Sequence, residues 1–179
     1  NKTRQVLRGL KSITNFSYDW GTNIWTLGLW KDVILQASED AMINDLYVKA
    51  ELNDAYDKAF IRAVWEINSL TNVNAKLDIT LTNNNNNNIL HFTHAVSLKA
   101  GDNKVVWEKT IDDPELWWPA GHGKQPLYIL DSKLYIKNSS IPSDGSLVRF
   151  GICDLKWGQL DGIPENFINP LKLTVNGRR

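Results

Sequence analysis

From about residue 45 to residue 157, apolar side chains recur at every second position, and this period commits the chain to β-strands that each bury one face. No long stretch sustains the three-and-four spacing that an amphipathic helix needs. The first set is Leu46, Val48, Ala50 and Leu52, and the second is Ala59, Ile61, Ala63, Trp65 and Ile67. The third sets Leu77, Ile79 and Leu81 against Lys76, Asp78 and Thr80. Leu90, Phe92, Val96 and Leu98 make a fourth, and Val105 with Trp107 a fifth. The sixth run, Leu127 to Ile136, begins with Leu127 and Ile129 and resumes with Leu134 and Ile136, a change of face that predicts a β-bulge. The seventh runs from Leu147 to Trp157. Asn53-Asp54, Gly101-Asp102-Asn103 and Pro142-Ser143-Asp144-Gly145 supply turn chemistry between them. Strands this short and this regularly spaced predict an all-β fold, an immunoglobulin-like antiparallel β-sandwich. The antibody pattern of Cys, Trp and Cys is missing, since Cys153 is the one cysteine, so the expectation concerns architecture alone.

Asn83 to Asn88 form an unbroken asparagine run between Leu81 and Ile89. Asparagine tolerates the left-handed conformation and bonds its own backbone, which suits a permissive hairpin loop. Residues 1–44 do not continue the alternation. Val6 to Leu10 and Ile24 to Leu35 are strand-like, but Gly9, Gly21 and Gly28 and the aromatics Phe16, Tyr18, Trp20, Trp25 and Trp30 read as part of another β unit. Two or three strands alone cannot bury such a face. Either the segment packs on the sandwich, or it pairs with another chain, or its partner strands lie upstream of Asn1. Past Trp157, residues 158–170 are loop-like, and Leu171 to Gly177 reads as a strand entering a turn. The chain thus divides into residues 1–44, 45–157 and 158–179 and reads as an excerpt from something longer. An open strand edge and uncovered apolar surface predict self-association through residues 1–44.

Charge narrows the partners. The 20 Lys and Arg balance 20 Asp and Glu, so no nucleic-acid partner is expected. Apolar stretches fall far short of the roughly 20 residues that cross a bilayer, so no membrane partner is expected either. A single cysteine excludes an internal disulfide framework and a multi-cysteine metal site. His91 and His94 point to opposite faces of their strand, which leaves no metal site and no cofactor to expect. Asp112, Asp113 and Glu115 read as solvated turn residues, with nothing around them that would desolvate a general acid. The sequons at Asn1, Asn15 and Asn138 are what an Asn-rich chain produces by chance. Eight tryptophans are another matter, because an indole N–H wants a partner and such enrichment marks interfaces or carbohydrate stacking.

The run Asp113-Pro114-Glu115-Leu116-Trp117-Trp118-Pro119-Ala120-Gly121-His122-Gly123-Lys124-Gln125-Pro126-Leu127-Tyr128 resembles the linker before the sixth strand of the immunoglobulin-like domain in glycoside hydrolase family 2, its β-mannosidase branch above all. Tyr18-Asp19-Trp20-Gly21 with Gly28-Leu29-Trp30-Lys31-Asp32-Val33 resembles the end of that family's N-terminal jelly-roll, sugar-binding domain. Arg149-Phe150-Gly151-Ile152 with Leu173-Thr174-Val175-Asn176-Gly177 resembles the passage from the sandwich toward the catalytic (β/α)8 barrel. The resemblance implies a partial jelly roll over residues 1–44, a sandwich over 45–157, and a linker and first strand over 158–179.

It further implies a parent retaining exo-glycosidase whose two catalytic carboxylates sit on the barrel of the same polypeptide; its location is left open, with the periplasm or secretion in a bacterium favoured. No residue of this chain is then a catalytic acid, base or nucleophile, the fragment alone is inactive, and the sandwich is an interdomain spacer. Asp19, with Trp20 beside it, is implied to bind hydroxyls of a terminal β-linked sugar, as an ionised carboxylate does well. Trp117, Trp118, His122 and Cys153 are implied to lie at an interdomain contact, with Cys153 standing where members carry Arg. Tyr18 and Thr22 replace the Trp and Pro of the mannosidase pattern, which leaves β-galactosidase and exo-β-glucosaminidase open. A stand-alone carbohydrate-binding or adhesion module using tryptophan platforms is the alternative from another class. A purely structural fibronectin-like module is a third, but it leaves the tryptophan-proline run unexplained.

Overall fold

The computed structural model describes residues 29, 31–83, 87–160, 162, 164 and 171–178. Two compact units divide the chain, Asn1–Ala37 and Ser38–Arg179. Every strand described here belongs to the second. Asp19, Trp20 and most of the expected jelly-roll segment lie outside the described residues. Of the strand-like stretch Ile24 to Leu35, the described residues 31–35 belong to no strand.

The second unit runs β1 (Ala41–Leu52), β2 (Lys58–Ser69), β3 (Val73–Thr82), β4 (Asn88–Leu98), β5 (Gly101–Asp112), β6 (Tyr128–Ile136), β7 (Asp144–Phe150), β8 (Leu155–Gln159) and β9 (Leu171–Val175). One sheet has the order β1-β2-β5 and the other β4-β3-β6-β7, all pairs antiparallel. This is the expected immunoglobulin-like sandwich. The core lies between the sheets: Ile61, Ala63, Trp65 and Ile67 of β2 meet Leu77, Ile79 and Leu81 of β3 and Leu130, Leu134 and Ile136 of β6, none more than 1% exposed. Each large side chain so buried contributes about 1.5–3 kcal/mol. Where the sheets end in β4 and β5, Phe92 stacks on Trp107 with ring centroids 5.0 Å apart. Asn83 closes the loop after β3: its N–H donates to the Asn87 carbonyl and its Oδ1 accepts from the Asn87 N–H at 3.0 Å.

Two expectations are corrected. Strand β6 has no bulge; the register shifts lie instead in β1 and in the β3–β4 pair, between Leu81 and Thr82. Register shifts between Ile43 and Asp45, so Asn44 is the additional residue and both Ile43 and Leu46 face the core. That interruption hides the first half of β1 from a search for strict alternation. Strand β6 keeps one register against both neighbours and turns Tyr128, Leu130, Ser132, Leu134 and Ile136 inward. Ser132 sits in the apolar row with 0% exposure, its Oγ accepting from Trp65 Nε1 at 2.9 Å and donating to the Ser146 carbonyl at 3.1 Å. A satisfied polar residue in a core position therefore imitated a change of face.

The second correction concerns the seventh run. It is not one strand from Leu147 to Trp157 but two, with β7 ending at Phe150 and β8 opening at Leu155. Strand β8 leaves the sandwich and pairs with β9 in a separate two-stranded ladder. Ile152 causes the break, being fully buried and bridged in parallel to Leu116.

Candidate functional site

The segment between β5 and β6 forms an aromatic junction built from backbone constraints. Asp113 turns the chain out of β5 with φ +47°, its N–H donating to the Asp57 carbonyl at 2.8 Å. Pro114 is buried, and the Glu115 N–H donates to the Tyr128 hydroxyl at 2.8 Å. Trp117 then donates its N–H to the Ile152 carbonyl at 2.8 Å, anchoring the linker to the chain that leaves the sandwich. Its side chain fills the space over Gly151, where a Cβ would lie 3.0 Å from Trp117 Cβ and Cγ.

Trp118 closes a loop of its own. Its N–H donates to the Lys124 carbonyl at 2.9 Å, and Gln125 Nε2 donates back to the Trp118 carbonyl at 3.1 Å and the Gly123 carbonyl at 2.6 Å. Gly123 is required by proximity, since a Cβ there would come within 2.7 Å of Trp118 Cγ. His122 sits in the turn, its N–H donating to the Pro119 carbonyl at 3.0 Å. The Arg178 guanidinium lies 5.0 Å over the Trp118 ring, a cation–π pair that ties the loop to the end of the β8–β9 ladder. Trp118, Pro119, His122, Leu173, Val175 and Arg178 line an open pocket of about 280 Å³.

A polar clamp locks this junction. Asn176 follows β9 with φ +48° and is 6% exposed. Its N–H donates to the Asp154 carbonyl, its Oδ1 accepts from the Asp154 N–H at 2.8 Å, and its Nδ2 donates to the Trp117 carbonyl at 3.0 Å. The Asp154 carboxylate accepts from Tyr56, in the β1–β2 loop, at 3.0 Å and pairs with Lys156 at 2.8 Å. The Lys156 ammonium, followed by the Tyr56 hydroxyl, holds the Asp154 carboxyl below the usual range. Burial, with the bond to Asp154 adding to it, pushes the Tyr56 phenol up.

The structure brings Trp118 and His122 together at the open pocket, whereas Trp117 packs over Gly151 outside its lining and Cys153 also lies apart, half-buried beside Asp154 with its thiol pushed up by burial. Asp112, Asp113 and Glu115 are exposed, and Asp112 pairs with Lys58 at 3.7 Å. His91 is exposed and meets Asp78 at 2.6 Å, while His94 faces the other way. Among the described residues no group of three His, Cys, Asp or Glu side chains could hold a metal ion. A wider concavity, about 730 Å³ on the outer face of the three-stranded sheet, is open strand surface whose charged side chains pair with one another, as Lys49–Glu51 and Arg62–Glu108. Sequence reasoning missed the clamp residues Tyr56, Asp154 and Arg178. Only Asn176-Gly177, as a turn after a strand, carried a signal.

The described residues thus define an all-β sandwich of immunoglobulin-like type with an aromatic linker between its fifth and sixth strands. The family model of glycosyl hydrolases family 2 matches residues 41–152, and the chain belongs to that family. It is similar to β-mannosidase B of Emericella nidulans, 30% identical over 125 residues that make 69% of this chain and 14% of that protein. It is also similar to the exo-β-D-glucosaminidase of Streptomyces avermitilis, 29% identical over 160 residues, 86% of this chain and 16% of that protein. Among solved structures, the β-D-mannosidase from Dictyoglomus thermophilum superposes with a TM-score of 0.75 at 25% identity, covering 92% of this chain and 19% of that one. The chain thus matches only 14–16% of the length of these curated relatives.

Proposed function

We propose that this chain is the non-catalytic connecting part of a retaining exo-glycosidase that removes terminal β-linked sugars, β-mannosides first. In this reading residues 1–44 end a sugar-binding jelly roll, residues 45–157 form a spacer, and residues 158–179 lead toward a (β/α)8 barrel of the same polypeptide that carries both catalytic carboxylates. The observation that carries the reading is the aromatic junction together with the uncovered ladder beside it. Leu155, Trp157 and Leu173 alternate on one face of β8 and β9 and are 56%, 67% and 42% exposed. An apolar face of that kind beside a stiff, clamped linker suits a surface that a following domain covers. Trp117, Trp118 and His122 would set the angle of that domain, with Cys153 at its margin. Asp19 and Trp20 would reach the terminal sugar from the jelly-roll side. The chain alone would self-associate through residues 1–44.

The similarity to the exo-β-D-glucosaminidase of Streptomyces avermitilis supports a second substrate class, terminal β-glucosaminides. One panel separates the readings. The full-length product and this chain are assayed against aryl β-mannoside, β-glucosaminide, β-galactoside and β-glucuronide. Hydrolysis of one sugar by the full product, none by this chain, and a loss of kcat/KM in full-length Asp19→Ala are expected. Hydrolysis by this chain itself, or none by the full product, overturns the proposal.

A further inference from the structure

Asn176-Gly177 is the single Asn-Gly step in the sequence. Glycine has no Cβ, so in such a step the backbone nitrogen of the second residue reaches the side-chain carbonyl carbon of the first without hindrance. In the folded chain the asparagine is turned elsewhere. Its Oδ1 is held by the Asp154 N–H and its Nδ2 by the Trp117 carbonyl, and the residue is 6% exposed. Gly177 is pinned as well, at φ +74° under the Tyr56 ring, where a Cβ would lie 3.1 Å from the Tyr56 hydroxyl. The amide is therefore committed to two backbone partners far off in sequence instead of to its own following peptide.

We infer that Asn176 is a deamidation site gated by this clamp, and that its modification unfastens the ladder for good. When the β8–β9 ladder opens, the Gly177 nitrogen attacks Asn176 Cγ. The new N–Cγ bond forms, the Cγ–Nδ2 bond breaks, and ammonia leaves with the proton that Gly177 gives up. Water then opens the cyclic imide to aspartate or isoaspartate. In both products an oxygen replaces the Nδ2 donor, so the Trp117 carbonyl faces an acceptor and a charge is placed in a buried position. Isoaspartate also inserts a methylene into the main chain at the left-handed turn. Reclosure is disfavoured in either case, and the linker loses the bond that holds Trp117 to the ladder. The inference needs no assumption about the sugar or the parent enzyme.

The test incubates this chain at mildly alkaline pH, folded and in denaturant, and follows residues 171–179 by mass and by isoaspartate content. Deamidation about tenfold or more slower in the folded chain is expected, because it must pass through local opening. Tyr56→Phe and Asp154→Ala remove contacts around the clamp without touching the reacting step, and each should speed the folded reaction several-fold. Amide protection in β2 distinguishes local opening from a global loss of fold in these variants. Asn176→Asp, the product of the reaction, should raise hydrogen exchange over residues 155–159 and 171–178. Equal rates in the folded and denatured chain, or unaltered exchange in Asn176→Asp, would overturn the inference.

Discussion

The sandwich and the β8–β9 ladder are built on different physical terms. In the sandwich, strands from two sheets bury a continuous apolar layer, and its few internal polar atoms, such as the Ser132 hydroxyl, find partners within it. The ladder has five-residue strands, and its apolar face of Leu155, Trp157 and Leu173 is exposed. Its attachment rests on Asn176, Asp154, Tyr56 and the Arg178–Trp118 pair. Burial is non-directional and tolerates small shifts, whereas a hydrogen-bonded clamp is local and all-or-none. The ladder is therefore expected to open locally while the sandwich keeps its shape.

The largest effects should come from the sandwich. Trp65→Ala removes a fully buried indole and its bond to Ser132 and should cost about 3–5 kcal/mol in denaturant melts, lowering the stability of every strand together. Asn176→Ala leaves the Asp154 N–H and the Trp117 carbonyl without their partner and should cost about 2 kcal/mol, confined to the ladder and seen as proteolytic cleavage near residue 160 with the sandwich intact. Gly123→Ala drives a methyl group into Trp118 and should cost about 1–2 kcal/mol, read as a changed near-ultraviolet signal from that indole.

Acid should act on the clamp and spare the core. The Asp154 carboxyl is held below its ordinary value by Lys156 and Tyr56, so its contribution is complete above its unfolded pKa of about 4 and is lost as pH falls through the lower folded value. Between these values the ladder should loosen in the native protein, and Asp154→Asn should abolish that dependence. Arg62→Ala, which removes one member of an exposed pair with Glu108, should change stability by no more than about 0.5 kcal/mol.

The same division governs what could be read in advance. The alternation from Leu46 onward exposes most of the sandwich because a half-buried strand repeats at two residues, whatever its partners are. It fails at Asn44, where a bulge adds a residue, and at Ser132, where a hydroxyl occupies the core and is satisfied by Trp65. The tryptophan run marks the junction, but the groups that fix it are distant in sequence. Tyr56 reaches Asp154 across 98 positions and Asn176 reaches Trp117 across 59, and no local pattern encodes such pairs.

The most direct test of this account is residue-resolved hydrogen exchange of the chain with and without Asn176→Ala. It predicts that amides over residues 155–159 and 171–178 lose protection in the variant, while those over 59–67, 75–81 and 130–136 keep theirs. Equal loss across both regions would show that clamp and sandwich are one cooperative unit, and no loss in either would show that Asn176 does not hold the ladder; both results contradict the account.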